Sequence, residues 1–279
     1  MKEYLDLVKL VLENGTLKKS RTGIDTISYF GAHYKVDLSK GLPLLTTKEI
    51  NWNALVRELL WYLSGEDHIR NLRQHTKIWD AWADADGNLD TAYGRYWRRF
   101  PSPYKDTDGQ WQVREVDQIQ FIIDTLRKEP SSRRMVVTAW EPGNATTSKL
   151  PPCHYSFVFN VQDNKLSCHL SQRSGDIALG IPFNLACYGA LTQMIAQEVG
   201  LELGWFSHMI VDAHIYTAGP ESGLAAYDHV PGLREQLKRE PRPLPRLVIA
   251  KKSINELKFE DLKLENYNPH PKIKFKVAV

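Results

Sequence analysis

The sequence predicts an α+β fold, and we interpret the whole chain, 1–279, as a single domain. Apolar and polar residues alternate over 155–161 and again over 166–170, as they do in strands that bury one face. Apolar stripes at helical spacing over 52–63 and 184–199 predict helices that pack against a core. Strands and helices therefore contribute to one hydrophobic interior.

The same reasoning places the remaining elements. It predicts a helix over 4–12 that stops at Asn14-Gly15, strands over 28–38 and 135–140, a helix over 117–127 and a hairpin turn over 162–165. The segment 101–116 is rich in Pro, Asp, Gly and Gln, which predicts a surface insertion.

The composition is that of a globular protein with a substantial core, since 42% of the residues are hydrophobic and 25% are charged. A net charge of +3 is too small to indicate a nucleic-acid partner, and we expect no DNA binding. No apolar run reaches membrane-spanning length, and the first residues carry charges where a signal peptide needs an apolar stretch. We therefore expect a cytoplasmic protein without a membrane partner.

The cysteines point to covalent chemistry rather than to a metal. There are 3 of them, an odd number without metal-ligand spacing, so we expect no metal site. Cys153 follows two prolines that stiffen its backbone, and arginine-rich segments are expected nearby, which favours a reactive thiolate. Cys168 alternates with core leucines and Cys187 lies in an apolar helix, so both are expected in the core. A cysteine hydrolase that pairs Cys153 with a histidine is also conceivable.

Several other side chains have two interpretations on sequence alone. Glu58 lies inside an apolar stripe and is either a surface charge or a buried acid with a shifted pKa. Trp79 and Trp82 are more typical of a core than of a ligand stack. The pair Arg133-Arg134 at a strand entrance is usually just exposed. The sequence contains no Gly-x-Gly-x-x-Gly fingerprint, which fits our expectation of no nicotinamide cofactor.

Three motifs in a fixed order carry a family resemblance. Pro-Cys-His at 152–154, Gln-Arg-Ser-x-Asp at 172–176 and Leu-Gly-x-Pro-Phe-Asn at 179–184 together closely resemble the thymidylate synthase family. The resemblance extends from Arg21 to the last residues, and it implies a large mixed β-sheet packed against helices, dimerising through the sheet. It implies reductive methylation of dUMP to dTMP, with 5,10-methylenetetrahydrofolate giving the carbon and the hydride and leaving as dihydrofolate.

The resemblance also implies a role for individual residues. The catalytic residues would be Cys153, Glu58, Tyr93, Arg173, Asp176 and Asn184. The nucleotide would be bound by Arg21, Arg133, Arg134, Arg173, Ser174, Gly175, Asp176, Asn184, His214, Ile215 and Tyr216. The folate would be bound by Lys48, Asn51, Ile78, Trp79, Trp82, Leu150, Asp176, Gly180, Phe183 and Ala278. Arg133 and Arg134 would reach the phosphate site of the partner chain, which implies a homodimer.

The chain departs from the family pattern in three places, one of which is Ile210-Val211 where relatives usually have a glycine pair. Glu49 and Asn51 stand where relatives commonly have a basic residue and a histidine. An extra segment, 217–226, replaces the Asn-His that usually follows the motif ending at Tyr216, and Tyr227-Asp228-His229 resembles the displaced continuation.

Two alternatives to the synthase stay open. One is a hydroxymethyltransferase of the same family, in which water rather than hydride captures the exocyclic methylene. The other is a nucleotide-binding regulator that has lost catalysis. The joint presence of Cys153, Glu58, Tyr93, Asp176 and Asn184 argues against the second.

Overall fold

The computed structural model describes residues 1–19, 23–90, 92–219 and 223–277. Arg21 and Ala278, two of the predicted ligand-binding residues, lie outside these ranges. The α-helices are α1 (Lys2–Asn14), α2 (Trp52–Ser64), α3 (Arg70–Arg73), α4 (Tyr93–Arg98), α5 (Gln118–Lys128), α6 (Asn144–Thr147), α7 (Gly180–Val199) and α8 (Val230–Leu237).

The strands form one large sheet and two hairpin-like pairs. They are β1 (Thr16–Lys18), β2 (Asp25–Asp37), β3 (Phe100–Lys105), β4 (Trp111–Val116), β5 (Val136–Thr138), β6 (Ser156–Gln162), β7 (Lys165–Asp176), β8 (Glu202–Thr217), β9 (Arg246–Ile249) and β10 (Leu262–Glu265). The large sheet has the order β1-β2-β8-β7-β6-β5. Strands β7 and β8 are parallel and all the other neighbours in it are antiparallel. The sheet is therefore mixed, and the predicted α+β class is confirmed.

One face of this sheet packs against the helices. Phe157, Phe159, Leu170 and Phe206 alternate inward along β6, β7 and β8, and each is at most 1% exposed. Helix α7 crosses this face with nearly all of its surface buried, and it ends at Gly200, whose φ of 74° lies in the left-handed region. Burial on all sides explains why the α7 sequence is apolar beyond a single stripe.

The tight turn between β6 and β7 is the predicted one. Asp163 and Asn164 have φ values of 50° and 60°, which fits the positive-φ turn that matches strand twist. Because this turn sets the register of the hairpin, Phe159 pairs with Cys168 and both face the core.

The segment 101–116, predicted as a surface insertion, is an exposed hairpin of β3 and β4. Three boundaries differ from the sequence expectations. Strand β7 continues through the polar motif to Asp176, and α7 begins at Gly180. The strand predicted over 135–140 is shorter, Val136–Thr138.

Strand β8 had no sequence prediction. Its inward positions include His208, a polar residue that breaks the apolar alternation on which strand prediction depends. Among the described residues, no helix combines the length and apolar character needed to cross a membrane.

Candidate active site

A cavity of about 550 Å³ lies where the carboxyl ends of β7 and β8 meet the first turn of α7. Since the two strands are parallel, their polar ends fall at the same edge of the sheet. The predicted site residues that line this cavity are Glu58, Ile78, Trp79, Trp82, Leu150, Cys153, Arg173, Ser174, Asp176, Gly180, Phe183, Asn184, His214 and Tyr216. The fold thus brings together side chains from most of the chain length.

The other predicted residues lie elsewhere. Lys48 and Asn51 line an adjoining cavity of about 750 Å³, which shares Glu58, Ile78, Leu179 and Phe183 with the first. Tyr93 is buried behind Cys153, and Gly175 and Ile215 are buried within β7 and β8. Arg133 and Arg134 are exposed side chains outside the described lining of both cavities.

Cys153 is held in place by its neighbours. Arg173 donates from Nε to the carbonyl of Pro152 at 3.0 Å and from Nη2 to that of Pro151 at 2.6 Å. The backbone N–H of Arg173 donates to the Cys153 carbonyl at 2.9 Å. A guanidinium is therefore fixed beside the segment that carries the half-buried thiol, where positive charge favours the thiolate.

The other two thiols are in the core, as the sequence predicted. Burial raises the pKa of Cys168 to about 12. Burial and the charge of Glu58 raise the pKa of Cys187 well above its ordinary value. Both thiols therefore stay protonated at neutral pH and are poor nucleophiles, which leaves Cys153 as the candidate.

Tyr93 and His154 form a buried wall behind the thiol. The Tyr93 hydroxyl accepts the backbone N–H of Cys153 at 2.7 Å. The His154 ring stacks on Tyr93 with centroids 3.7 Å apart, and its Nδ1 lies 2.8 Å from the Tyr188 hydroxyl. Burial lowers the pKa of His154 to about 3, so its ring is neutral at physiological pH.

Glu58 is a half-buried acid that lines the cavity, not a surface charge. One of its oxygens, Oε1, accepts from Trp79 Nε1 at 2.6 Å and from the Tyr62 hydroxyl at 2.8 Å. Burial raises the pKa of Glu58, and these two hydrogen bonds oppose the rise only in part. A carboxyl with a raised pKa beside a cavity is suited to proton transfer near neutral pH.

Asn184 is oriented by a chain of buried polar side chains. Gln172 Nε2 donates to Asn184 Oδ1 at 3.2 Å and to the Ser174 carbonyl at 2.9 Å. Gln172 Oε1 lies 3.0 Å from His208 Nε2, and His208 Nδ1 lies 2.8 Å from the Tyr34 hydroxyl. Because the Ser174 carbonyl only accepts, the Gln172 atom beside it is Nε2, and the Asn184 atom that Nε2 also contacts is then the accepting Oδ1. This assignment places Asn184 Nδ2 as the outward donor.

Asp176 is the last residue of β7, just before the turn that leads into α7, and its carboxylate stays ionised. Its Oδ1 accepts the backbone N–H groups of Ala178 at 2.8 Å and Leu179 at 3.3 Å. Burial alone would raise the pKa of Asp176, but its interaction with His229, the charge of His214 and the Ala178 N–H together lower it. The carboxylate is thus available as an acceptor inside the cavity.

Some lining residues were absent from the predicted site. They are Lys18, Lys19, Thr26, Tyr62, Lys149, His154, Gln172, Leu179, Asp212 and Val277. Two had a readable signal: Tyr62 lies one helical turn after Glu58, and Gln172 opens the motif that contains Arg173. Lys18 had none, since it lies far along the chain from Asp212, with which it pairs at 2.6 Å.

Such an arrangement is typical of enzymes that attack a bound substrate with a cysteine thiolate. The comparisons with known proteins agree. A family model described as thymidylate synthase matches residues 2–279. The thymidylate synthase of Haloferax volcanii is 48% identical to this chain, over 98% of this chain and 95% of its own.

The chain therefore belongs to the thymidylate synthase family and is an enzyme that transfers a methyl group. The resemblance that the three motifs carried is confirmed, and the comparisons do not favour the hydroxymethyltransferase alternative. Within the ranges that the structure describes, no group of three or more His, Cys, Asp or Glu side chains could hold a metal ion.

Proposed function

We propose that this chain methylates dUMP to dTMP, with 5,10-methylenetetrahydrofolate as the one-carbon and hydride donor and dihydrofolate as the second product. One observation carries the proposal: the thiol of Cys153, the amide of Asn184 and the carboxylates of Glu58 and Asp176 line the same cavity. These groups can serve as a nucleophile, a reader of the base, a proton carrier and a pterin acceptor in one enclosed space.

Covalent attack by Cys153 solves the main chemical problem, which is that C5 of uracil is a poor nucleophile. The thiolate sulfur forms a bond to C6, and the electrons of the C5–C6 double bond move to C5 and O4. Asn184 Nδ2 donates to O4 and stabilises this enolate, while Oδ1 accepts from N3–H. Expulsion of the thiolate later restores the double bond, so the cysteine is regenerated.

We assign the proton transfers of the proposed reaction to Glu58 and Tyr93. Glu58 has a raised pKa and one oxygen anchored by Trp79 and Tyr62, so the carboxyl is held while it exchanges a proton. The Tyr93 hydroxyl accepts the backbone N–H of Cys153, which holds it next to the residue that carries the nucleophile. Removal of the C5 proton is the step we assign to Tyr93.

The nucleotide phosphate would be bound by arginines. Arg173 lies at the Cys153 end of the cavity, and Arg21 would join it. His214 and Tyr216 line the cavity at the end of β8 and would contact the sugar hydroxyl. Ser174 lines the same wall.

The residues around the two cavities fit a reduced folate. Trp79, Trp82 and Phe183 offer aromatic surface for a pterin, and the Asp176 carboxylate would accept its N–H groups. The adjoining cavity carries Lys48, Lys272 and Lys274, which suit an acidic tail and offset Glu49 on the same wall. When bound, the folate supplies the one-carbon unit and the hydride, so no nicotinamide is needed.

We also propose a homodimer formed through the sheet, with Arg133 and Arg134 donated to the partner's phosphate site. Strands of the large sheet carry large exposed apolar residues, among them Phe30 of β2 at 83% and Trp205 of β8 at 45%. Both arginine side chains are exposed. Neither is among the described residues that line the two cavities of its own chain. Residues 1–279 would act as one catalytic unit in the cytoplasm, where a thiol nucleophile stays reduced.

Incubation of the purified chain with dUMP and 5,10-methylenetetrahydrofolate tests the proposal. Formation of dihydrofolate together with dTMP is the expected result. Tetrahydrofolate together with 5-hydroxymethyl-dUMP would identify the hydroxymethyltransferase instead. Binding of dUMP with no product from either reaction would identify a protein that has lost catalysis.

A further inference from the structure

Asp212 and His214 lie two residues apart on β8, and both line the catalytic cavity. The ring nitrogen Nδ1 of His214 is 3.2 Å from the backbone carbonyl oxygen of Asp212 and 3.6 Å from its carboxylate oxygen Oδ1. A carbonyl oxygen only accepts, so the shorter of these contacts requires a proton on Nδ1. The carboxylate oxygen is too distant for a hydrogen bond, but its charge favours an N–H over a lone pair at this nitrogen.

The Asp212 carboxylate is held by the two neighbouring strands on one side of β8. Its Oδ2 accepts from Lys18 Nζ of β1 at 2.6 Å, and its Oδ1 accepts from the Ser28 hydroxyl of β2 at 2.8 Å. Its interaction with His214 lowers the pKa of Asp212, partial burial opposes the shift, and the contacts with Lys18 and Ser28 lower the pKa further. The carboxylate is therefore ionised at neutral pH and fixed at both oxygens.

The ring of His214 then has one nitrogen left for a ligand. A neutral imidazole with its proton on Nδ1 carries a lone pair on Nε2, so Nε2 accepts a hydrogen bond and cannot donate one. The sugar of dUMP has a single free hydroxyl, at the 3′ position, because the 2′ carbon carries only hydrogen and the 5′ oxygen carries the phosphate. That hydroxyl can supply the proton that Nε2 needs.

We propose that Asp212 is a positioning residue that fixes His214 in the tautomer with its proton on Nδ1, so that the sugar hydroxyl of dUMP donates to Nε2. Lys18 and Ser28 keep the carboxylate in place for this task. The inference rests on the proposed function, in which His214 contacts the sugar. It adds the direction of that hydrogen bond and the groups that set it.

Nitrogen-15 NMR of the chain labelled at its histidines tests the tautomer without nucleotide or turnover. The signals of His214 are identified by their loss in His214→Gln. We expect Nδ1 to have the chemical shift of a protonated nitrogen and Nε2 that of an unprotonated one at neutral pH. A proton on Nε2 alone, or on both nitrogens, would overturn the proposal.

Asp212→Asn separates the carboxylate from the backbone carbonyl, which this substitution leaves in place. The one oxygen of the asparagine amide should stay with the charged Lys18, which turns the NH₂ group toward Ser28 and the ring. The tautomer with its proton on Nε2 should then become populated. Asp25→Asn is the matched control, because Asp25 of β2 pairs with Lys19 at 3.2 Å and lies outside the described lining of the cavity. An unchanged tautomer in Asp212→Asn would overturn the role of the carboxylate.

The hydroxyl contact is measured by comparing dUMP with 2′,3′-dideoxyuridine 5′-monophosphate, which lacks the 3′ hydroxyl. Calorimetry should show that the wild type binds this analogue roughly tenfold more weakly, as expected for one lost hydrogen bond. Asp212→Ala should reduce that ratio to within about twofold, and Lys18→Met should reduce it in part, whereas Asp25→Ala should keep it. The ratio cancels any general effect of a changed charge on nucleotide binding.

A ratio that Asp212→Ala leaves unchanged would overturn the coupling between the carboxylate and the sugar contact. Absence of dUMP binding by the wild type would overturn the hydroxyl contact together with the proposed function. The NMR result on the free chain would still decide whether Asp212 sets the tautomer of His214, so the two failures are distinguishable.

Discussion

Gln172 donates an N–H to the Oδ1 of Asn184 at 3.2 Å, and this contact decides which atom of the Asn184 amide faces the cavity as a donor. An amide alone can flip and present the opposite pattern, so Asn184 by itself does not distinguish uracil from cytosine. The selection is made by the neighbouring side chain of Gln172, whose own orientation is fixed by the Ser174 carbonyl, since that oxygen only accepts. Burial lowers the pKa of His208 well below its usual value, which keeps that ring neutral and able to serve both neighbours.

Gln172→Leu should therefore relax the choice of base without removing the base reader. The ratio of kcat/KM for dUMP to that for dCMP should fall roughly tenfold, since Asn184 can then flip at little cost. Gln193→Leu is the control, because Gln193 donates to the Leu247 carbonyl away from the cavity. An unchanged ratio in Gln172→Leu would show that the orientation is set elsewhere.

Asn184→Asp should shift the preference further, from dUMP toward dCMP. A carboxyl group can accept from the amino group of cytosine and, when protonated, donate to its N3, while it pairs poorly with uracil. Each wrong pairing leaves buried polar groups unsatisfied, at roughly 1–3 kcal/mol. The measurement is the same ratio of specificity constants. A wild type that already prefers dCMP would remove both Asn184 and the substrate assignment.

The sequence predicted the features of the fold that depend on neighbouring residues. It did not predict those that depend on pairing between distant segments of the chain. The hairpin turn over 162–165 and the helix stop at Asn14-Gly15 follow from turn chemistry, and the structure has both. The sequence did not predict β8. This strand pairs with β7 in parallel, so no tight turn joins the two strands and signals the pairing. The strands of the exposed hairpin over 101–116 were not predicted. Neither face of this hairpin is buried, so its sequence shows no alternation of apolar and polar residues.

The site shows the same division. Glu58 in an apolar stripe was a visible anomaly, although the stripe could not say whether it was buried. The contact between Tyr93 and Cys153 joins positions 60 residues apart, and the family resemblance named both as catalytic residues without predicting that they touch. His229 lies beyond the extra segment 217–226, and only its place in the fold shows that it faces Asp176.

Cys153→Ala should abolish turnover and leave a folded protein that still binds dUMP, because only the nucleophile is lost. Incubation of the wild type with 5-fluoro-dUMP and the folate should give a covalent adduct on the peptide that holds Cys153. Cys168→Ala is the matched control and should keep the adduct, since burial raises the pKa of that thiol to about 12. An adduct on Cys168 or Cys187 would contradict the assignment.

Sharing of the phosphate site predicts complementation between two inactive chains. One variant carries Arg133→Ala with Arg134→Ala, the other carries Cys153→Ala, and each alone should be nearly inactive. Mixed dimers should regain one working site, because one chain supplies the thiol and the other supplies the arginines. Subunit exchange is verified by native mass spectrometry of tagged chains. Absence of recovery in verified mixed dimers counts against donation from the partner.

Glu58→Gln should separate the catalytic role of this carboxyl from its structural cost. The amide oxygen can still accept from Trp79 and Tyr62, but the amide carries no exchangeable proton at this step. We expect kcat to fall by a factor on the order of 10²–10⁴, with little change in the KM for dUMP. A fall of less than about threefold would show that the proton is carried by another group.

The same substitution has a pH signature in stability. Burial raises the folded-state pKa of Glu58, so the folded chain keeps this proton at a pH where the unfolded chain has already lost it. The contribution of Glu58 to stability is therefore fully present below its unfolded pKa and is lost as pH rises through the folded pKa. Relative to wild type, Glu58→Gln should gain in Tm as pH rises through that window and then reach a plateau. Glu129→Gln, an exposed carboxylate at the end of α5, should track the wild type throughout. A constant Tm difference across the window would mean that Glu58 is ionised in the folded chain and is not the tuned acid of this site.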